Sequence, residues 1–152
     1  MPGIFSLNQN PFLASQDKKP LLRTILYIED NSANLDLVER LVARRDDLRL
    51  MSAINGSFGM QIARAEVPDM ILMDINLPDI NGFDAMKILR KDAATARIPI
   101  VALSSNAHPR DIEKGIKAGF FRYLTKPFKI DELIDTVDTT LRYAATNHEK
   151  QR

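Results

Sequence analysis

"DMILMDINLP" (residues 69–78) is the stretch on which the reading of this chain turns. Met70, Ile71, Leu72 and Met73 form an unbroken apolar run, the pattern of a strand buried on both faces. The run ends on a carboxylate, Asp74, and Pro78 and the polar turn "DINGFD" (79–84) follow. A charge at the end of a buried strand is costly unless a partner neutralises it. Alone, such an aspartate is most simply a turn former or a helix cap.

The same unit, a short apolar strand followed by an amphipathic helix, recurs on both sides of this stretch. "TILYI" (24–28) ends at Glu29-Asp30, and "NSANLDLVERLVARR" (31–45) then places Leu35, Val38, Leu41 and Val42 on one helical face. "LRLMSAI" (48–54) is the second strand, and "GSFGMQIARAEV" (56–67) is a helix closed by Pro68. After "DMILMD" comes "GFDAMKILRKDA" (82–93), with Phe83, Met86 and Leu89 directed to a core. "IPIVALSS" (98–105) is a fourth strand, and "PRDIEKGIKAG" (109–119) is a helix begun near His108 and stopped by Gly119. "FFRYLTK" (120–126) and "IDELIDTVDTTLRYAA" (130–145) complete five βα units. Short connections between strands and helices imply parallel strands with right-handed crossovers, and so an α/β fold: a five-stranded parallel sheet, doubly wound. The "RRDD" at 44–47 reads as a solvated helix end.

Composition narrows the chemistry. The chain has 152 residues, enough for one domain, and a formal net charge of +1, so nothing draws it to nucleic acid or anionic lipid. There is no cysteine, which excludes disulfides, thiolate catalysis and Cys-based zinc sites. Two histidines, His108 and His148, are too few for a His-rich metal centre. No apolar stretch reaches the roughly 20 residues of a membrane helix, and residues 1–22 lack the pattern of a signal peptide. The expected location is cytoplasmic. Residues 1–22 read as a flexible arm or linker with isolated apolar residues (Ile4, Phe5, Leu7, Phe12, Leu13), residues 23–145 as the domain, and residues 146–152 as a polar tail that frays.

In open parallel sheets a ligand site lies beyond the carboxyl ends of the strands. Those ends here carry Glu29-Asp30, Asp74, Ser104-Ser105 and Lys126-Pro127. Crowded carboxylates repel one another, and a divalent cation relieves the repulsion. Hard oxygen ligands that leave room for water suit Mg²⁺ better than zinc. With the Lys126 ammonium and the Ser104 hydroxyl, the set makes a pocket for a phosphoryl group, and Asp74 is the natural nucleophile for an aspartyl phosphate.

The motifs "ILYIEDN", "ILMDINLPDINGFD", "IVALSSNA" and "YLTKPF", in this order and each at a strand end, resemble the receiver domain of two-component response regulators, from Arg23 to Tyr143. The resemblance implies the flavodoxin-like (βα)5 receiver fold. It implies that Asp74 is the phospho-acceptor, that Asp30 binds Mg²⁺ directly with Glu29 helping mainly through water, and that the backbone carbonyl of Asn76 completes the metal shell. It makes Ser104 the switch hydroxyl, Tyr123 the aromatic switch and Lys126 the partner of the phosphoryl group, with a cis bond before Pro127. The implied partners are a histidine kinase or histidine phosphotransfer protein as donor, and a downstream protein bound on the face of the fourth helix, fifth strand and fifth helix, where such domains often form homodimers. Ser stands at 104 where Thr is commoner, which keeps the hydroxyl. Ser105 stands where Ala is common. Asn76 and Asn106 occupy positions that set the lifetime of the phosphoryl group.

Three other classes fit these residues less well. A phosphatase with an aspartyl nucleophile carries a second Asp two residues on, where this chain has Asn76. A non-phosphorylated pseudo-receiver would lack Asp74, the acidic pair or Lys126. A flavodoxin-like cofactor binder needs a phosphate loop where this chain has "EDNSAN" (29–34). The expected protein is a phospho-accepting signalling switch, not a turnover enzyme. The nine residues after Tyr143 leave no room for a DNA-binding or catalytic output domain, so no nucleic acid binding is expected, and the lack of an apolar span gives no expectation of membrane contact. A stand-alone receiver and a receiver cut from a hybrid kinase both fit.

Overall fold

The computed structural model describes residues 22–106 and 108–149. Most of the N-terminal arm therefore lies outside the described residues. Five strands, β1 (Arg23–Ile28), β2 (Leu48–Ala53), β3 (Met70–Asp74), β4 (Ile100–Ser104) and β5 (Arg122–Thr125), form one parallel sheet in the order β2-β1-β3-β4-β5. Five helices alternate with them: α1 (Ser32–Ala43), α2 (Gly56–Glu66), α3 (Gly82–Lys91), α4 (Pro109–Ala118) and α5 (Ile130–Glu149).

Both faces of the sheet are covered because β3 and β4 are apolar up to their last residues, Asp74 and Ser104. All five residues of β3 and all five of β4 are buried. Strand alternation sorts them. Leu26, Ile28, Ile71, Met73, Ile100 and Ala102 pack with Ala63 of α2 and Ala85, Met86 and Leu89 of α3. Ile25, Tyr27, Met70, Leu72, Val101 and Leu103 pack on the other face with Val38 and Val42 of α1 and Leu133, Val137 and Leu141 of α5. Leu35, Leu41 and Phe83, expected in the core, are only partly buried and pack against it.

Side-chain caps define four helix starts, among them the one expected near His108. Asn31 accepts from the Asn34 N–H, Asn55 from Phe58, Asn81 from Phe83 and His108 from Arg110. Gly119, at φ 126°, ends α4 in a region that L side chains avoid. Two expectations need correction. Helix α5 continues to Glu149, through the first four residues of the supposed tail, because nothing at Ala145 breaks it and Thr146 turns its hydroxyl onto the Arg142 carbonyl (3.1 Å). The "RRDD" segment is not merely solvated: Arg45 holds Asp47 and reaches Asp138 of α5 at 2.9 Å. Among the described residues no helix is long and apolar enough to cross a membrane.

Candidate functional site

The strand order reverses between β1 and β3, so their carboxyl ends flank the crevice where such sheets bind ligands. The last β1–β3 pair is Ile28 with Met73, and the next residue on each strand is an acid. Glu29 is fully buried and Asp74 is 5% exposed, whereas Asp30 is exposed. One carboxylate oxygen from each of the three lies within 4.8 Å of the others.

Lys126, just past β5, answers this charge. Its Nζ donates to Glu29 Oε1 at 2.6 Å and to Asp74 Oδ2 at 3.1 Å. The peptide bond between Lys126 and Pro127 is cis, as the resemblance implied. Burial works against the Lys126 charge, but the hydrogen bonds to Glu29 and Asp74 prevail and raise its pKa. Burial also opposes ionisation of Glu29, yet the neighbouring Asp74 and the hydrogen bonds from Lys126 and Tyr27 hold its pKa down. Asp74 is pushed up, by burial first and then by Glu29 beside it, against the opposing Asn76 N–H and Lys126. One ammonium thus faces two buried carboxylates and a third at the surface. Glu29 Oε2 is buried with no hydrogen-bond partner. An orphaned carboxylate oxygen inside a cluster of three acids fits a hard divalent cation.

The remaining predicted residues flank this centre. Asn76 donates its N–H to Asp74 Oδ1 at 2.9 Å. Ser104, 2% exposed, ends β4, and its Oγ accepts from the Asn106 N–H at 3.0 Å. Tyr123 on β5 is half-buried, and its ring lies against Gly115 of α4, where a Cβ would come within 2.6 Å of it. Ser104, Tyr123, Asn76, Phe83 and Lys114 share a cavity of about 160 Å³ with Ile75, the residue after Asp74. Ser105 is exposed.

Three contributors were not anticipated. Tyr27 donates its buried hydroxyl to Glu29 Oε1 at 3.0 Å, and Asn34 donates Nδ2 to the same oxygen at 3.1 Å. The period of two along β1 was the available signal for Tyr27, since residues 27 and 29 share a face. Asp79, in the loop after Asp74, accepts from the backbone N–H groups of Gly56 and Ser57, both at 2.8 Å. This ties the loop to the start of α2. Gly56 is required there, because a Cβ would meet Ile80 Cγ2 at 2.1 Å.

Comparison with known proteins agrees with this arrangement. Residues 25–138 match the family model described as the response regulator receiver domain. The chain is 33% identical over 117 residues to protein PilH of Pseudomonas aeruginosa, covering 77% of this chain and 96% of that protein. It is 30% identical to the polar-differentiation response regulator DivK of Brucella anthropi, covering 78% and 96%. Among solved structures it is similar to the receiver domain of a sensor histidine kinase from Pseudomonas aeruginosa PAO1, with TM-score 0.71 and 32% identity over 79% of this chain and 98% of that one. That structure has a magnesium ion coordinated in its active-site cleft. Receivers act as signalling switches in two-component systems rather than as classical enzymes, and they bind Mg²⁺ in an acidic pocket of this kind. With its strand ends, acidic cluster and family match in agreement, this chain belongs to the response regulator receiver domain family.

Proposed function

We propose that this receiver takes a phosphoryl group onto Asp74 from the phosphohistidine of a histidine kinase or phosphotransfer protein. Asp74 attacks the phosphorus in line, the P–N bond breaks with its electron pair returning to the donor imidazole, and an acyl phosphate forms. Glu29, Asp30 and Asp74, with the Asn76 carbonyl, would hold Mg²⁺, which supplies positive charge against the phosphoryl oxygens. Lys126 leaves its two carboxylate partners to pair with the new phosphoryl group. Hydrolysis of the acyl phosphate at the same site resets the protein.

The observation that carries this reading is the gathering of three carboxylate oxygens within 4.8 Å at the switch point of the sheet, bridged by a lysine from a strand end about fifty positions away. The phosphorylated state draws Ser104 toward Asp74, and Tyr123 moves into the cavity beside it. The surface of α4, β5 and α5 then changes its affinity for a downstream protein or a second copy. This is a shift between two populations biased by a local charge.

Intact mass after incubation with acetyl phosphate tests it. The wild type with Mg²⁺ is expected to gain one labile phosphoryl group. EDTA or Asp74→Asn is expected to abolish the gain. A gain that survives either would overturn the reading.

A further inference from the structure

The loop that joins Asp74 to α3 is closed at its base. Asn76 pairs with Asn81 in a short antiparallel bridge, and the Gly82 N–H donates to the Ile75 carbonyl at 2.8 Å. Gly82 permits this closure, because a Cβ there would meet Ile75 Cα at 2.9 Å. The base is also joined to the acceptor, since the Asn76 N–H donates to Asp74 Oδ1 at 2.9 Å. The tip of the loop, residues 77–80, needs a support of its own.

That support is α2. The first N–H groups of a helix have no acceptor within it. The cap of α2, Asn55, takes the Phe58 N–H at 2.8 Å and leaves the two before it. Asp79 takes both, Gly56 through Oδ1 and Ser57 through Oδ2, each at 2.8 Å. The Ser57 and then the Gly56 N–H lower its pKa, so the tie is charged at neutral pH. Charge-assisted bonds of this kind are the stronger ones. Ile80 lies against Gly56 and the buried Leu77 is close by, so the loop keeps an apolar seat on α2 without the carboxylate.

We propose that Asp79 is a positioning residue for the metal site: it fixes the tip of the loop and so holds Asn76 at its base, with the carbonyl assigned to Mg²⁺. This rests on the metal reading of the acidic cluster. Asp79 is not one of the three acids whose oxygens gather within 4.8 Å, so it acts through the loop and not as a ligand. A loop that samples other arrangements binds more weakly, in proportion to the fraction of competent molecules.

The test is Mg²⁺ titration by calorimetry on the full chain, for the wild type, Asp79→Ala and Asn55→Ala. Both variants remove a cap from the start of α2, and both are expected to lower the melting temperature. Only Asp79→Ala frees the loop. The titrations are run where melting curves in Mg²⁺-free buffer show each protein folded, at an ionic strength of about 0.5 M, which screens the distant Asp79 charge. The expected result is a Kd about fivefold higher for Asp79→Ala and unchanged for Asn55→Ala. Phosphorylation of Asp79→Ala by acetyl phosphate should be slow at low Mg²⁺ and recover at saturating Mg²⁺. An unchanged Kd in Asp79→Ala, or an equal rise in Asn55→Ala, overturns the positioning and spares the metal reading. A wild type that binds no Mg²⁺ overturns both.

Discussion

The two rims of the sheet handle charge in opposite ways. At the carboxyl rim, Glu29 and Asp74 are buried and share one lysine, whose side chain is only 16% exposed. At the amino rim, Arg23 pairs with Asp69, and Arg45 pairs with Asp47 and Asp138, all with side chains 21–39% exposed. There two arginines face three aspartates, and every one of these groups stays in reach of water. Arg23 also donates to the Leu141 carbonyl of α5 at 2.9 Å. Such a network fastens α5 to the bottom of the sheet and adds a modest stabilisation. The carboxyl rim keeps a surplus of negative charge where water cannot screen it, which gives little stability and leaves a demand for a cation. The difference shows which rim is built for ligand and which for structure.

Removing the shared cation breaks the contrast hardest. Lys126→Met leaves two buried carboxylates without their counter-charge, and loss of one partner from a buried pair costs about 3–5 kcal/mol. Urea unfolding at neutral pH in Mg²⁺-free buffer is expected to show a loss of this order, together with failure to gain a phosphoryl group. At the amino rim the same kind of deletion does much less. Arg45→Ala removes hydrogen bonds to Asp47 and Asp138, and the expected loss is about 1 kcal/mol, smaller still in high salt, with phosphorylation unchanged.

The smallest effect is a pH dependence. Hydrogen bonding from Arg45 lowers the Asp47 pKa below its ordinary value of 3.8, outweighing slight burial. A carboxylate depressed in the folded state contributes stability that is complete above the unfolded value and is lost as pH falls through the folded one. Asp47 is more than a third exposed, so the contribution is discounted to about 0.5 kcal/mol. Asp47→Asn is expected to cost that much at pH 7, and the gap from wild type should close as pH falls below the ordinary aspartate value and through the depressed one. A gap that persists in acid would mean that packing, not charge, holds the segment.

Much of this was legible in the residues. The apolar runs of β3 and β4, buried at every position, announced a sheet covered on both faces. The chemical groups at the strand ends announced the crevice, because parallel topology brings all carboxyl ends to one rim. Partner choice was harder to read. Nothing local says that Arg45 finds Asp138, 93 positions away, or that Asp79 caps α2 from the loop after β3. Tyr27 looked like one more large core residue, and its hydroxyl acquires a role only once Glu29 turns inward. The end of α5 was missed for another reason: polar composition after Ala145 suggests a frayed tail, but polarity alone does not stop a helix that lacks a breaker.

The most direct test of the account is chemical mapping of the acceptor. The protein is phosphorylated with acetyl phosphate and Mg²⁺, reduced with borohydride, digested and sequenced by mass spectrometry. Borohydride converts an aspartyl phosphate to homoserine. The account predicts homoserine at position 74 alone, with Asp30 and Glu29 intact. Reduction at Asp30, or a stable phosphoryl group on Ser104, would contradict it.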